Sequence, residues 1–236
     1  MTFARRLDPE WLDQLPGDDP RAIHTRRDLG RINTIMRNAA CMASALRKNW
    51  RGAPPETIVD LGSGDGRLML KVARRLAPSW SNVRVILQDK QNIVSAATRA
   101  GFAALRWHAE PVSADVFDFL ARAQSSPTDI VTANLFLHHF PEPQLAKLLG
   151  AVSEFARLVV ACEPRRNKFA VGMSRMLWAI GCNDVTIHDA VVSARAGFTG
   201  NELSAVWPHR DQWKLHEHFA AISSHCFVAR RGSDAT

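Results

Sequence analysis

No stretch of eighteen or more apolar residues occurs anywhere in the 236-residue chain, which excludes a membrane-spanning helix. The first residues, Met1 to Pro9, carry no apolar core of the kind a secretion signal needs, so no signal peptide is expected. Cysteine is sparse. Cys41, Cys162, Cys182 and Cys226 stand far apart with no C-x-x-C pair, which predicts reduced, mostly buried thiols and a cytoplasmic protein. There is no internal repeat, no low-complexity segment and no basic strand interleaved with aromatics of the RNA-recognition type.

What is present is ordinary for a soluble globular chain: 46% apolar and 22% charged residues, enough length for one sizeable core. The net charge of +7 reads either as a basic face for nucleic acid or as simple solubility charge. The second reading is preferred, because the basic residues are spread out. Their densest group, Arg21, Arg26, Arg27, Arg31 and Arg37, falls within one predicted helix.

The chain is organised around one stretch. A β-branched run, Thr57-Ile58-Val59-Asp60-Leu61, enters the turn Gly62-Ser63-Gly64-Asp65-Gly66, and Arg67 to Leu76 continues as a helix. Strand, glycine turn and helix in this order let a ligand lie against bare backbone at the carboxyl end of a parallel sheet. The spacing is Gly-x-Gly-x-Gly; Arg67 occupies the third position of a dinucleotide fingerprint.

Before this stretch, residues 1–20 read as an irregular arm with one helical turn near Trp11 and Leu12, and residues 21–49 as helical. Ile32, Ile35, Met36, Ala39, Met42 and Leu46 form one apolar stripe there. The predicted organisation is a helical arm or lid over 1–52 and a main domain over 53–236. After the glycine turn, strands are expected at 83–87, 104–108, 129–134 and 158–162, with helices at 91–100, 115–123 and 142–155 between them. This alternation predicts an open parallel sheet covered on both faces. Helices at 168–181, 184–196 and 201–206 then form an insertion over about 168–207. Short strands at 213–217 and 225–229 would pair antiparallel.

The segment from Val59 to Gly66 resembles the first motif of class I S-adenosylmethionine-dependent methyltransferases, and five parallel strands followed by a hairpin match that family's seven-stranded Rossmann-like sheet. The resemblance implies that Asp60, Gly62, Ser63, Gly64 and Gly66 cradle the methionine end of S-adenosylmethionine. It implies that Asp89, with Lys90 beside it, receives the ribose hydroxyls, and that Asp115 and the backbone of Val116 meet the adenine. An Asp at 115 also suits a helix N-cap. Asn134 and Leu135 would stand beside the sulfonium.

Leu135-Phe136-Leu137-His138-His139 resembles a Leu-x-His-His segment of small-molecule methyltransferases. A phenolic acceptor has a pKa of about 10 and must lose a proton, and an imidazole of pKa about 6.5 is a natural base. His138 or His139 would serve, although adjacent residues are not expected to face one pocket. Glu163 ends the fifth strand; pairing with Arg165 is preferred over orienting a histidine or taking a substrate proton. His188, with Asp189 and Arg195 on a predicted helix of the substrate-wall region, is a further candidate catalytic residue, although neighbours on a helix diverge by about 100°, which counts against a His188–Asp189 pair. His216 and His218 would share a strand face near His225; with no Cys or acid at ligand spacing, no metal is expected.

Asn134 is followed by Leu135-Phe136 instead of Pro-Pro-aromatic, which argues against DNA adenine methylation. Leu29-Gly30-Arg31-Ile32-Asn33, Ala196-Gly197-Phe198 and Glu202-Leu203 resemble small bacterial methyltransferases found with polyketide enzymes, and Trp178, Phe198, Trp207 and Trp213 suit an apolar pocket. The expected reaction is O-methylation of a phenolic or polyketide-like small molecule, with nucleic acid not expected as partner and a homodimer possible. Two alternatives stand beside it. A methyltransferase of RNA or protein would show steep salt dependence of RNA binding. A nucleotide-binding oxidoreductase or non-catalytic module would bind NAD instead of S-adenosylhomocysteine.

Overall fold

The computed structural model describes residues 3–123, 128–220 and 223–232. Seven strands form one sheet: β1 Thr57–Leu61, β2 Arg84–Asp89, β3 His108–Ser113, β4 Thr128–Asn134, β5 Ala156–Pro164, β6 Trp213–Ala220 and β7 Ser224–Arg231. Their order is β3-β2-β1-β4-β5-β7-β6. The first five strands are parallel, and β7 runs antiparallel between β5 and β6. The strand order reverses between β1 and β4, so a crevice opens at the carboxyl ends of these strands.

Helices cover both faces: α1 Pro20–Ile35, α2 Asn38–Asn49, α3 Arg67–Leu76, α4 Ala96–Ala103, α5 Val116–Ala123, α6 Glu142–Phe155, α7 Lys168–Arg175, α8 Asp184–Ala196 and α9 Glu202–Val206. Alternation along each strand sorts the core into two. Ile58, Val85, Ile130 and Val160 meet α2, α3 and α4; Val59, Val131, Val159 and Phe227 meet α5, α6 and α9. Leu76 of α3 and Leu148 of α6 are fully buried, one in each core, and truncating either to alanine removes about 2–5 kcal/mol.

Several boundaries differ from the sequence expectation. The expected helix over 21–49 is two helices, broken at Arg37 in the left-handed region (φ 55°). The single apolar stripe explains the break: Ile32, Ile35 and Met36 line a cavity, whereas Ala39, Met42 and Leu46 enter the core against the sheet. The third strand lies at His108–Ser113, not 104–108. Residues 104–106 are a turn after α4, and Pro111 is tolerated because β3 is an edge strand. The expected helix over 168–181 ends at Arg175; a 3₁₀ turn, Leu177–Ile180, follows and stops at Gly181 (φ 79°). Ala221 and Ile222, between β6 and β7 in sequence, lie outside the described residues. Among the described residues no helix is long and apolar enough to cross a membrane.

The amino-terminal arm is tied across the carboxyl edge of the sheet. Arg5 donates from Nε to the Ala196 carbonyl (2.7 Å) and from Nη2 to the His138 and Phe140 carbonyls (3.0 Å each). Arg166 donates to the Phe3 carbonyl (2.7 Å). Trp11 stacks on His188 at 3.9 Å, and the backbone N–H groups of Trp11 and Leu12 donate to the Asp189 carboxylate (2.8 and 2.9 Å). Helix α1 is held to α8 by the wholly buried Asp28, which accepts from the Thr186 hydroxyl (3.0 Å) and the Asn183 N–H (3.1 Å).

Candidate active site

The glycine turn after β1 is shaped by what lies against it. Gly62, Gly64 and Gly66 all have positive φ (64°, 56° and 72°). A Cβ on Gly62 would sit 2.2 Å from the Phe136 ring, whereas one on Gly64 would meet nothing within 4 Å. Phe136 therefore closes one side of the turn, and Gly64 presents bare backbone to open space. Gln88, buried at the end of β2, fixes the turn from beneath: its Nε2 donates to the Ala114 carbonyl (2.8 Å), and its backbone carbonyl accepts from Ser63 N–H (2.9 Å).

Beside this turn lies a cleft of about 350 Å³ whose walls include Asp60, Gly62, Ser63, Gly64, Asp89, Asn134 and Leu135. Arg26, Leu29, Gly30 and Asn33 of α1 roof it. Asp60 is buried, accepts from the Thr132 hydroxyl (2.7 Å), and is pushed up to about 7 by loss of solvation. Asp89 accepts from Gly64 N–H and Gln91 N–H (2.9 Å each). Two polar atoms in the cleft wall, Ser63 Oγ and Asn134 Oδ1, are buried without a partner, an unfavourable state in the absence of a ligand. Asn134 is held through its Nδ2, which donates to Asn33 Oδ1 (3.2 Å). Leu135 takes a left-handed conformation (φ 50°), which for a bulky side chain is strained.

Gly66, Lys90, Asp115 and Val116 are not among the residues lining this cleft. Gly66 packs its missing Cβ towards Leu87 (2.9 Å). Asp115 accepts from Phe117 N–H (2.8 Å) as a helix cap and pairs with Lys90 at 3.4 Å; the cap bond and the cation hold its carboxyl below its ordinary value. Val116 is buried in the core.

A second, smaller cavity of about 130 Å³ adjoins the cleft and shares Leu12, Leu29 and Leu135 with it. Ile32, Ile35, Met36, Ala170, Met173 and Leu177 make it largely apolar, and Glu10, Asp189 and Ser193 give it one polar side. Met173 and Ile35, 44% and 49% exposed, form an apolar rim.

On that polar side Glu163 takes up the less favoured of its sequence readings and orients a histidine. Glu163 does not pair with Arg165. It is fully buried; its Oε1 accepts from Phe136 and Leu137 N–H (3.0 and 2.9 Å), and its Oε2 meets His138 Nδ1 at 2.7 Å. His138 Nε2 in turn faces Glu10 Oε1 at 3.3 Å, and the Ser193 hydroxyl also donates to Glu10. Burial alone would lower the imidazole's pKa, but two carboxylates outweigh it and raise His138 to about 9. The same contacts hold Glu10 down at about 2 despite its burial, and keep Glu163 below its ordinary value. His138 is thus an imidazolium between two carboxylates at neutral pH and has no free basic nitrogen.

His139 behaves oppositely. Burial and the neighbouring His138 cation lower its pKa, leaving it neutral, with Nδ1 at 3.6 Å from Asp13 Oδ2. Neither histidine is among the residues lining the two cavities, yet both approach Glu10, which is. They sit in a 3₁₀ turn, Leu137–His139, with ring centroids 4.3 Å apart, and one ring nitrogen of each lies within 4.8 Å of a Glu10 oxygen.

His188 Nδ1 does meet Asp189 Oδ1, at 2.9 Å, against expectation, and both side chains engage Trp11 of the arm. His225 is engaged by Glu217 at 2.5 Å, and His216 stacks on His218 at 4.9 Å, far along the sheet. Glu10, Asp13 and Ser193 were missed. The first two lie in an arm with no periodic pattern, and nothing local in the sequence connects them to residue 138.

Residues 58–159 match the family of methyltransferase domains. No curated protein matches the chain in sequence. Among solved structures, the fold is similar to that of the plantazolicin methyltransferase BpumL in complex with SAH (14% identity, 94% of each chain, TM-score 0.63). It is also similar to an O-methyltransferase family protein from Burkholderia thailandensis (18% identity, 92% of this chain, TM-score 0.57) and to the mitomycin 7-O-methyltransferase MmcR (16%, 94%, TM-score 0.60). The chain spans 63% and 60% of the length of these last two. Residues 58–159, which run from β1 into β5, thus carry a methyltransferase domain, on a sheet of order 3-2-1-4-5-7-6 that is the class I S-adenosylmethionine-dependent methyltransferase fold.

Proposed function

We propose that the chain transfers a methyl group from S-adenosylmethionine to a hydroxyl of a small, largely apolar acceptor of phenolic or polyketide-like type. The observation that carries this reading is the apolar cavity opening onto the cleft at Leu135, with a neutral histidine close to its polar side. The donor fits the cleft on three counts: Gly64 leaves bare backbone, Asp60 and Asp89 supply carboxylates, and Ser63 Oγ and Asn134 Oδ1 lack partners. When bound, it supplies an electrophilic methyl on a sulfonium.

In this reading Asp60, Gly62, Ser63, Gly64, Asp89, Asn134 and Leu135 hold the donor. Lys90, Asp115 and Val116 flank the cleft's β2–β3 side, and Gly66 lets the turn close. His139 takes the acceptor's proton, because its lowered pKa keeps Nε2 or Nδ1 free at neutral pH. His138 and Glu163 are positioning residues: the buried ion chain fixes the turn that carries His139 and anchors Glu10 at the cavity edge. His188 clamps the arm by stacking on Trp11. In-line methyl transfer needs acceptor oxygen, methyl and sulfur to be aligned, which a shared wall at Leu12, Leu29 and Leu135 would supply.

The test is methyl transfer from labelled S-adenosylmethionine to a panel of small phenols, read by mass spectrometry as products heavier by one methyl group. Turnover of phenols that is insensitive to salt supports the proposal. Labelling confined to RNA or protein, weakened steeply by salt, would replace it.

A further inference from the structure

We propose that the chain carries a second ligand site: a soft d¹⁰ metal-ion site, with zinc as the natural occupant, formed by Cys41, Cys162 and Cys226 with His218 as fourth ligand. It is separate from the cleft and the apolar cavity described above.

Three elements far apart in sequence bring these thiols together. Cys162 of β5 is the direct cross-strand partner of Cys226 of β7, and Cys226 is the direct partner of His218 of β6. Directly opposed residues share a sheet face, so the three form a row across neighbouring strands. The row lies on the face covered by α2, and Cys41 of α2 packs onto it. The three sulfurs all lie within 4.8 Å of one another, and none is in a disulfide. A free cysteine in a core is usually a small apolar filler. Convergence of three on one point supplies the sulfur ligands of a Cys₃His zinc site, and His218, in the same row but outside that 4.8 Å cluster, would turn its ring inward as the fourth.

The cluster also has an entry path and charge balance. A groove of about 700 Å³ reaches it from solvent, and Cys41, His216 and His218 lie in its wall with Arg37 and Lys48. Cys41 is only half-buried, whereas Cys162 and Cys226 are fully buried beneath it. His216 stacks on His218 at 4.9 Å. Binding of Zn²⁺ would displace three thiol protons to solvent with no change of oxidation state. Three thiolates and a neutral imidazole leave the site one unit negative, which Arg37 and Lys48 offset. The metal would pin α2, and through it α1, to β5 and β7, beside the roof of the cleft.

The full chain, reduced and freed of metal, is titrated with Co²⁺ as the probe and then with Zn²⁺. The expected result is one equivalent of Co²⁺ with thiolate-to-metal charge-transfer absorption, displaced by Zn²⁺, and a rise in Tm reversed by a chelator. Cys41→Ser, at the half-buried ligand, should abolish the charge-transfer band, His218→Ala should weaken Zn²⁺ at least tenfold, and Cys182→Ser should change neither. A variant that fails to fold is replaced by a protection measurement on the native chain: Zn²⁺ should block alkylation of the half-buried Cys41. Absence of the band, a band that survives Cys41→Ser, or no protection of Cys41 overturns the site. An unchanged zinc affinity in His218→Ala overturns the fourth ligand.

Discussion

Gly62 and Gly64 have similar backbone conformations and opposite surroundings, and substitution should separate them. Gly62→Ala forces a Cβ into the Phe136 ring and adds the strain of positive φ, so a loss of about 2–4 kcal/mol is predicted, read by urea denaturation. Gly64→Ala has room and should lose about 1 kcal/mol of stability at most, yet weaken S-adenosylhomocysteine at least tenfold in calorimetric titration. Equal effects of the two on stability would contradict this account of the turn. The histidines divide in the same way. His139→Ala should lower kcat by about 10²–10³ and remove the acid limb of the pH–rate profile, which in the native chain lies below the ordinary histidine range. His138→Gln should lower stability without removing that limb. These residues were only half legible. The pair His138-His139 stood out in the sequence, but which one is charged depends on Glu10 and Glu163, whose approach is a matter of tertiary structure.

At the scale of elements, the arm over residues 3–15 matters most. It contributes Glu10, Leu12 and Asp13 to the two cavities and is held by hydrogen bonds to Asp189 and from Arg5 and Arg166. Asp189→Ala strips the acceptor from Trp11 and Leu12 N–H; loosening of the arm should raise acceptor KM several-fold and increase amide exchange there, with a stability loss of about 1–3 kcal/mol. Unchanged exchange in the arm would show that Asp189 does not hold it. The arm was unreadable as structure because its order comes from contacts with α8, Arg166 and the turn at His138–Phe140, not from any period of its own. The β–α alternation was readable because each strand is an apolar run and each helix has one apolar face. It misplaced β3, where Glu110 and Pro111 break the apolar run on an edge strand. It also joined α1 to α2, whose stripes are continuous in sequence but face different partners.

For the whole molecule, stability should depend on pH through the buried chain Glu163–His138–Glu10. His138 has a folded pKa of about 9, above its ordinary value near 6.5, so its contribution is complete below about 6.5 and is lost as pH rises through 9. Glu10 is depressed to about 2, so its contribution is complete above the ordinary carboxylate range and is lost as pH falls towards 2. The contribution of this ion chain to denaturant midpoints should therefore be greatest between about pH 5 and 6.5 and decline by pH 9.5, beside a separate loss from Asp60 as pH rises from the ordinary carboxylate range to about 7, and the alkaline decline should shrink in His138→Gln. The central claim, that the cleft over the glycine turn takes an S-adenosyl ligand, is tested most directly by calorimetric titration of S-adenosylhomocysteine and of NAD into the native chain and Gly64→Ala. The account predicts one equivalent of S-adenosylhomocysteine, weakened by Gly64→Ala, and no NAD. Binding of NAD with none of S-adenosylhomocysteine would contradict it.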